Sequence, residues 1–393
     1  MRRSVSVTIV VATALAMVGC AAPHEQAKEQ SQARWNNTRS NVLVQGGEGQ
    51  FAAGDLDGAA TSAREALALS PDLVCARMLM ARVHIEKGSY TAAMDELARV
   101  EALDAADDRV PYLQAVVHER RGRYDDALAL YEKARTLAPG NGAYVLAAAE
   151  VLVALGRADD ALVLVESNLS ALDDAGGAAL LAGDLAMVVG RADKAVEYYR
   201  AARALEPTDP GLLEKLAKAR FFAGDHKHAA RLLAELAVLA PYDKSPWVHT
   251  MLGDALLATG QIRQARDAYY TVTQLDADEP RAWVNLATAD LACRDFARAA
   301  LAARRAMELD PSSAEATVLH GYALLAQGKA DQAEQVLLQA SSDHPADPML
   351  QCLLGRSYSA MGRLDEAQDR YRATLALDPD NRIAQEMMSR LTP

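Results

Sequence analysis

The chain has 393 residues, 51% of them apolar, with 41 Lys or Arg against 53 Asp or Glu and a formal net charge of −12. The apolar fraction suffices for a packed core and excludes disorder for most of the chain. The acidic balance argues against a nucleic-acid partner, because such binding needs clustered Lys and Arg. The four Cys are not closely spaced, which excludes a disulfide scaffold and a zinc ribbon.

The first predicted element is a secretion signal over residues 1–19. It starts with the positive residues Arg2 and Arg3 and continues as an apolar run from Val5 to Val18. That run is shorter than the roughly 20 apolar residues that a membrane-spanning helix needs. A charged start, a short apolar run and small residues before a break are typical of a secretory signal peptide.

The signal ends in Met17-Val18-Gly19-Cys20, which resembles the lipobox of bacterial lipoproteins, with Met in place of the usual Leu. The resemblance implies that Cys20 becomes the first residue after cleavage and carries the lipid. Losing two Arg would then move the formal charge from −12 to −14. Ala21 follows the Cys, and by resemblance to enterobacterial sorting this implies an outer-membrane lipoprotein facing the periplasm. An ordinary secretory signal and an uncleaved membrane anchor remain alternatives.

The segment after the lipidated Cys is polar. Residues 21–39 carry no sustained apolar stripe. They are predicted to form a flexible tether, with a reach of roughly 25 Å as a random coil. A short helix at the end of this segment is also compatible with the sequence.

From residue 40 onward, one pattern of Gly and Ala recurs at steps of 34 residues, which indicates an array of structural repeats. Only Lys244 and Ser245 interrupt the series. The ten repeats span 40–73, 74–107, 108–141, 142–175, 176–209, 210–243, 246–279, 280–313, 314–347 and 348–381. Residues 382–393 are predicted to form a helix that caps the last apolar face.

Four positions of the repeat carry clear structural signals. Position 8 is always Gly or Ala and position 20 is always Ala, which lets two helices cross closely. Position 15 is Gly in nine repeats, and Arg294 is the exception. Gly ends the first helix there because it adopts a left-handed backbone conformation at the least cost in free energy. Position 32 is Pro in seven repeats, which stops the second helix. Between these positions apolar residues recur at the helical period.

This pattern resembles the tetratricopeptide repeat, whose period is 34 residues. The best copy runs from Leu354-Gly355 through Tyr358 and Gly362 to Pro379. The resemblance implies an all-α fold, a right-handed superhelix (α-solenoid) of ten 34-residue helix-turn-helix repeats. Repeats one to six occupy residues 40–243 and repeats seven to ten occupy 246–381. First helices would line a concave groove. The insertion between the two blocks is interpreted as a tolerated loop, a change of curvature or a hinge.

No catalytic constellation is evident in the sequence. It lacks Gly-x-Ser-x-Gly, a phosphate loop and His-Glu-x-x-His. His226 and His228 could present two imidazoles to a metal, but they lack further ligands at suitable spacing. His84 and His118 share repeat position 11 and are predicted to fill the same interhelical slot. We therefore predict no enzyme activity, no catalytic residues, no metal, no cofactor and no small-molecule substrate.

The resemblance also implies where a partner binds. Members of the family often hold an extended peptide against positions 2, 5, 9, 12 and 13 of the first helices, and aromatic residues and Arg contribute most binding energy at interfaces. The predicted partner-binding residues are Arg82, Tyr112, Lys218, Trp247, Tyr322 and Arg356. The alternative for each is that its side chain is solvated or packed between repeats. Position 9 never holds Asn, so a clamp for chaperone carboxylates is not expected.

Taken with the lipobox, the repeats resemble the organisation of lipoproteins of pilus biogenesis, namely type IV pilotins and those of tight-adherence (Flp) pili. This implies a non-enzymatic scaffold that is anchored by lipid in the bacterial envelope and binds a protein or peptide during assembly of a pilus or secretion system. One alternative is an adaptor or enzyme subunit of cell-wall or exopolysaccharide metabolism. Another is a soluble intracellular adaptor, if the N-terminus is not a signal.

Overall fold

The computed structural model describes the backbone of residues 5–172 and 174–391, and their side chains except those of residues 5–24, Gln26 and Ala171. Within this part the chain is all-α, with twenty-one α-helices and short 3-10 turns at Leu169–Ala171 and Tyr242–Lys244. The predicted fold class is confirmed in its helical content and its helix-turn-helix pairs. The chain divides into two compact units, of which unit one ends at Leu185 and unit two begins at Ala186.

Unit one is a stack of helix pairs in which the helices from α1 to α8 each pack on their neighbours in sequence. Its helices are α1 (Val5–Ala52), α2 (Leu56–Leu69), α3 (Val74–Glu86), α4 (Tyr90–Leu103), α5 (Arg109–Arg120), α6 (Tyr124–Leu137), α7 (Gly142–Ala154), α8 (Ala158–Asn168) and most of α9 (Ala175–Val188). Odd-numbered helices are the first helices of the predicted repeats, and even-numbered helices are the second.

Unit two repeats this arrangement and ends in a single additional helix. Its helices are α10 (Ala192–Leu205), α11 (Pro210–Phe222), α12 (His226–Leu236), α13 (Pro246–Ala258), α14 (Ile262–Leu275), α15 (Pro280–Ala292), α16 (Phe296–Leu309), α17 (Ala314–Ala326), α18 (Ala330–Asp343), α19 (Pro348–Ala360), α20 (Leu364–Leu377) and α21 (Arg382–Leu391). The terminal helix α21 lies where the sequence predicts a capping helix and packs on α20.

Helix α1 runs through the segment for which the sequence predicted a flexible tether. Its side chains from residue 27 to 39 are almost all exposed, and burial begins at Ser40, whose hydroxyl donates to Ser70 Oγ at 3.0 Å. Residues 24–39 contain no Gly or Pro, so nothing in them interrupts a helix that packing at Ser40 and Val44 stabilises. The structure therefore replaces the predicted coil with helix over this segment.

The structure does not test the predictions for the N-terminus. The signal at residues 1–19 and the lipidation site Cys20 lie outside the residues whose side chains the structure describes. Among the helices of the described part, none has an apolar stretch of the length that crossing a membrane requires.

The helix boundaries follow from local signals. Four first helices begin with Pro, which needs no backbone N–H partner there. At position 15, the nine glycines have φ between 70° and 82°, as the predicted left-handed turn requires. Arg294 takes the same turn with φ 61° and is the one residue other than Gly with a positive φ in the described backbone.

Small residues let the paired helices approach closely. The Ala at position 20 is fully buried in all ten repeats. At position 8, a methyl group added to Gly253 would lie 2.6 Å from Tyr269 Cε1, and one added to Gly355 would lie 2.8 Å from Tyr371 Cε1. These distances leave no room for a larger side chain unless the ring moves, so the close crossing predicted from the sequence is confirmed.

The two inserted residues lie in the connection between α12 and α13. Lys244 ends the 3-10 turn that begins at Tyr242, and Ser245 directly precedes Pro246 at the start of α13. The insertion therefore lengthens one loop of unit two without interrupting a helix.

Candidate functional site

All six predicted partner-binding residues lie on first helices. Within unit one, α1 contacts α3 and α3 contacts α5, and within unit two α15 contacts α17 and α17 contacts α19. First helices of neighbouring repeats thus lie side by side on each unit, and we call the surface that they form the first-helix face. The six residues are Arg82 on α3, Tyr112 on α5, Lys218 on α11, Trp247 on α13, Tyr322 on α17 and Arg356 on α19.

On unit one, Arg82 and Tyr112 line the same pocket. The pocket has a volume of about 300 Å³, and α1, α3, α5 and α7 all contribute to it. Its other lining residues are Glu48, Cys75, Met78, Arg109, Leu113, Ala143 and Tyr144. We call it the unit-one pocket; it is the place where two of the predicted residues converge.

Arg82 is held in place on two sides. Its guanidinium carbon lies 4.3 Å from the ring centroid of Phe51, and its Nη1 donates to Glu48 Oε2 at 2.7 Å. Both partners of the ion pair are more than a third exposed, so the pair itself contributes little stability. Glu48 engages one of five guanidinium donors, which leaves Arg82 oriented but able to bind a further acceptor.

Tyr112 belongs to a cluster of tyrosines. Its ring centroid lies 5.0 Å from that of Tyr144 and 5.7 Å from that of Tyr131. The hydroxyl of Tyr131 donates to Glu119 at 2.6 Å and that of Tyr144 donates to Asp108 at 2.5 Å. Burial raises the pKa of all three tyrosines, and the hydrogen bonds to carboxylates raise those of Tyr131 and Tyr144 further. The cluster is therefore a neutral and well-ordered aromatic wall.

The first-helix face of unit one continues beyond this pocket. A second cavity of about 400 Å³ lies between α7 and α9 and shares Ala143 with the unit-one pocket. It is lined by the acidic residues Glu150 and Asp174 together with apolar residues. The two cavities adjoin at Ala143, with Arg82 in the lining of the first and Glu150 and Asp174 in the lining of the second.

On unit two, Lys218 and Trp247 form a pair across neighbouring first helices. Lys218 Nζ lies 4.2 Å from the Trp247 ring centroid and donates to Glu214 Oε1 at 2.6 Å. Tyr242 donates to the other oxygen of Glu214 at 2.9 Å. Burial opposes ionisation of Glu214, but the hydrogen bonds from Lys218 and Tyr242 hold its pKa below the usual range. Lys218 is thus already engaged within the protein.

Tyr322 and Arg356 form a second pair on unit two. The Arg356 guanidinium carbon lies 5.5 Å from the Tyr322 ring centroid. Tyr322 is 39% exposed, and within the described residues Arg356 has no ion-pair partner. This pair is therefore more open to a partner than Lys218 and Trp247. The two pairs are three repeats apart along the chain.

The three cation–π pairs that involve predicted binding residues share one feature that the sequence did not reveal. In each, the cation comes from repeat position 9 and lies over a ring on a neighbouring first helix. Such contacts contribute about 0.5–1 kcal/mol at exposed sites. Five of the six predicted binding residues are consequently packed between repeats and remain partly exposed, and the sequence analysis left such packing open as the alternative to partner binding. Tyr144 and Glu48 were not selected from the sequence, although four tyrosines within residues 112–144 are a visible signal.

The histidines singled out in the sequence do not converge. His226 packs edge-on against Phe221 with ring centroids 5.1 Å apart, whereas His228 Nδ1 lies 2.8 Å from Asp225 Oδ1. His118 Nδ1 lies 3.2 Å from Asp126 Oδ2 on the paired helix. Across the part of the chain that the structure describes, there is no group of three or more His, Cys, Asp or Glu that could hold a metal ion.

Comparison with known families matches the chain to a model described as tetratricopeptide repeat. The matched residues are 50–117, 120–183, 290–356 and 324–391, which together cover more than half of the chain. A second model with the same description matches residues 250–292. No curated protein matches the chain.

Several solved structures are similar in fold. YrrB, described as a TPR protein with an unusual peptide-binding site, is 15% identical, with 49% of this chain and 99% of that chain covered and a TM-score of 0.43. Naa15/Naa10 bound to HypK-THB is 12% identical, with 90% of this chain and 66% of that chain covered and a TM-score of 0.49. A tetratricopeptide repeat protein from Parabacteroides merdae is 15% identical, with 64% of this chain and 99% of that chain covered and a TM-score of 0.40.

Proposed function

The chain belongs to the tetratricopeptide repeat family, and we propose on this basis that it binds an extended segment of a partner protein on its first-helix faces. The observation that carries the proposal is the convergence of Arg82 and Tyr112 on the unit-one pocket. The pocket continues into the cavity between α7 and α9, so that a segment of several residues can lie along it.

The ordering of these side chains favours binding. Arg82 is held by Phe51 and Glu48, and Tyr112 is held by two other tyrosines, so little side-chain freedom is lost when a partner arrives. Arg and Tyr are also the residue types that contribute most at interfaces. A partner segment with an apolar side chain for the tyrosine wall and an acceptor for Arg82 fits this chemistry.

We further propose that the scaffold acts in the bacterial envelope, anchored by lipid on Cys20 at the outer membrane and facing the periplasm, and that it helps assemble a pilus or secretion system. The support is the sequence of residues 1–20, with its positive start, short apolar run and lipobox-like end. In this arrangement the lipid fixes one end of the chain at the membrane, and the repeats present the binding faces.

Affinity capture from crosslinked cell envelopes tests the binding proposal. The full chain is compared with an Arg82→Ala/Tyr112→Ala variant, a Tyr322→Ala/Arg356→Ala variant and a control, Arg263→Ala/Arg372→Ala, on exposed residues of second helices. We expect one set of envelope proteins with the wild type and the control, and its loss with the first variant. Equal recovery from all four proteins would show that the partner does not use the first-helix faces.

The anchor is tested separately by fractionation. We expect the wild type in the membrane fraction and a Cys20→Ser variant outside it. A Cys20→Ser protein that still fractionates with membranes would contradict the lipid anchor. Full recovery of the wild type in the cytosol would favour the soluble adaptor instead.

A further inference from the structure

Unit two contains pockets at equivalent places on three repeats. Each lies between the second helix of one repeat and both helices of the next, and each is lined by residues from repeat positions 7, 11, 22, 23 and 25. The first pocket is formed by α10, α11 and α12, the second by α14, α15 and α16, and the third by α16, α17 and α18. Since these positions are equivalent, differences in their side chains are not imposed by the fold.

The pocket between α10, α11 and α12 carries more positive charge than the other two, because the second pocket has two Arg and two Asp in its lining and the third has Arg304 and Lys329. Four of its lining residues are arginines, namely Arg200, Arg203, Arg220 and Arg231, and we call it the arginine pocket. Among its described lining residues none is acidic. The equivalents of Arg220 are Asp290 and Leu324, and those of Arg231 are Leu301 and Gln335.

Two of the four guanidinium groups are compensated within the protein. Arg203 Nη2 donates to Glu235 Oε1 at 2.9 Å, and Arg220 forms an ion pair with Asp225. Arg200 and Arg231 are exposed and form no ion pair with any residue in the described part. The pocket therefore carries about two uncompensated positive charges on a chain whose formal net charge is −12.

The lining of the pocket suits an oxyanion. The buried side chains of Leu216 and Leu232 contribute to this lining, and the volume of about 370 Å³ accommodates a phosphate group together with part of the molecule that carries it. An apolar lining lowers the local dielectric constant, which strengthens charge interactions. Guanidinium groups bind phosphate in a planar, bidentate geometry that Lys does not offer.

We propose that the arginine pocket binds a phosphate group. A phosphate monoester carries about −1.5 to −2 charges at neutral pH, which matches the two uncompensated guanidinium groups, whereas a carboxylate carries one. The phosphate can be a free anion or a group on a phosphorylated side chain, and both present the same three oxygens. This site lies apart from the residues on the first-helix faces and is independent of the proposed function.

Calorimetric titration of the full chain at fixed low salt tests this proposal. The probes are inorganic pyrophosphate, a phosphoserine peptide, and the same peptide with Ser or with Glu in its place. The site variant is Arg200→Ala/Arg231→Ala, and the control Arg263→Ala/Arg372→Ala removes the same charge from exposed positions elsewhere on second helices. Thermal unfolding followed by circular dichroism verifies that all proteins are folded.

We expect the site variant to weaken binding of the phosphate probes about tenfold or more, as loss of charge-assisted hydrogen bonds predicts, and the control to change it less than about threefold. Binding of pyrophosphate alone would support a free anion, and binding of both would support a phosphorylated side chain as well. The proposal is overturned if the wild type binds neither probe, if both variants weaken binding equally, or if the Glu peptide binds as tightly as the phosphoserine peptide.

Discussion

Arg294 occupies a turn that nine other repeats give to Gly. Its φ of 61° lies in the left-handed region, where the Cβ atom of an L-residue approaches the following carbonyl oxygen. That contact costs roughly 1–2 kcal/mol, and Gly avoids it. The strain belongs to the backbone and does not depend on what the Arg side chain contacts.

We expect Arg294→Gly to stabilise the protein by about 0.5–1 kcal/mol, because relief of the strain exceeds the added freedom of Gly in the unfolded chain. Urea unfolding measures the change. Arg294→Ala is the matched control, since it removes the side chain but keeps the Cβ, and it should leave stability nearly unchanged. A Gly variant that unfolds at lower urea than the wild type would contradict this account.

Asp290 is a buried carboxylate in the pocket between α14, α15 and α16. It is 2% exposed, and within the described residues its Oδ1 has no hydrogen-bond partner. Burial raises its pKa to about 6, with a further contribution from Asp295, while Arg266 and Arg298 oppose the rise. The folded protein therefore holds this proton more tightly than the unfolded chain does, and stability falls as pH rises from about 4 to about 6.

An Asp290→Asn variant lacks this titration. We expect its stability to equal that of the wild type near pH 4 and to exceed it by about 2 kcal/mol at pH 7.5, because only the wild type then buries an ionised carboxylate. Urea unfolding at the two pH values provides the comparison. A difference between the two proteins that does not change with pH would show that ionisation of Asp290 is not the cause.

At the scale of the helix pair, contact between positions 8 and 24 sets how closely the helices cross. Gly355 faces the buried ring of Tyr371, and Gly253 faces that of Tyr269. In the third repeat an Ala at position 8, Ala115, coexists with the buried Tyr131. One methyl group is therefore tolerated after a small shift of the ring, whereas a branched side chain is not.

We expect Gly355→Ala to destabilise the protein by about 1 kcal/mol and Gly355→Val by about 3 kcal/mol, since overpacking forces the Tyr371 ring from its position. Gly140→Ala serves as the control, because a Cβ at that loop position meets no atom within 4 Å. Thermal unfolding of the wild type and the three variants gives the order of their stabilities. If the Val variant were as stable as the wild type, the helices would not cross as closely as described.

At the scale of the whole molecule, stability in a repeat protein is nearly a sum of contacts between neighbours. The terminal helix α21 is the last such contact in unit two. Its Ala384 is fully buried, and Met387 and Met388 pack against an apolar cluster to which α17, α18, α19 and α20 contribute. Without this cover, apolar side chains of the last repeat would meet water.

We expect Ala384→Asp to destabilise the end of unit two, because it buries an unpaired charge in the contact between α20 and α21. Hydrogen exchange should show reduced protection in α19 and α20 and unchanged protection in α3 to α6. Gln385→Asp places the same charge on the exposed side of α21. It removes one exposed hydrogen bond, from Gln385 Nε2 to the Pro379 carbonyl, and should reduce protection in α19 and α20 much less than Ala384→Asp does. A uniform loss of protection along the chain would contradict stability by neighbour contacts.

The sequence by itself determined the repeat register and the helix boundaries. Three repeat positions each meet a local structural requirement: a turn at Gly in position 15, a close helix crossing at Ala in position 20, and a helix end at Pro in position 32. These signals can therefore be interpreted without knowledge of distant residues. At Arg294 the sequence shows only a departure from Gly at position 15, and the structure shows that this residue keeps the left-handed turn.

Only the tertiary structure decided which side chains of the first helices meet. Arg82 over Phe51, Lys218 over Trp247 and the tyrosines around Tyr112 join residues from different helices, and the rotation of each helix about its axis sets these contacts. The arginine pocket likewise draws on three helices. Helix α1 continues through a segment whose polar composition predicted coil, because packing at its C-terminal end stabilises a helix that composition alone does not predict.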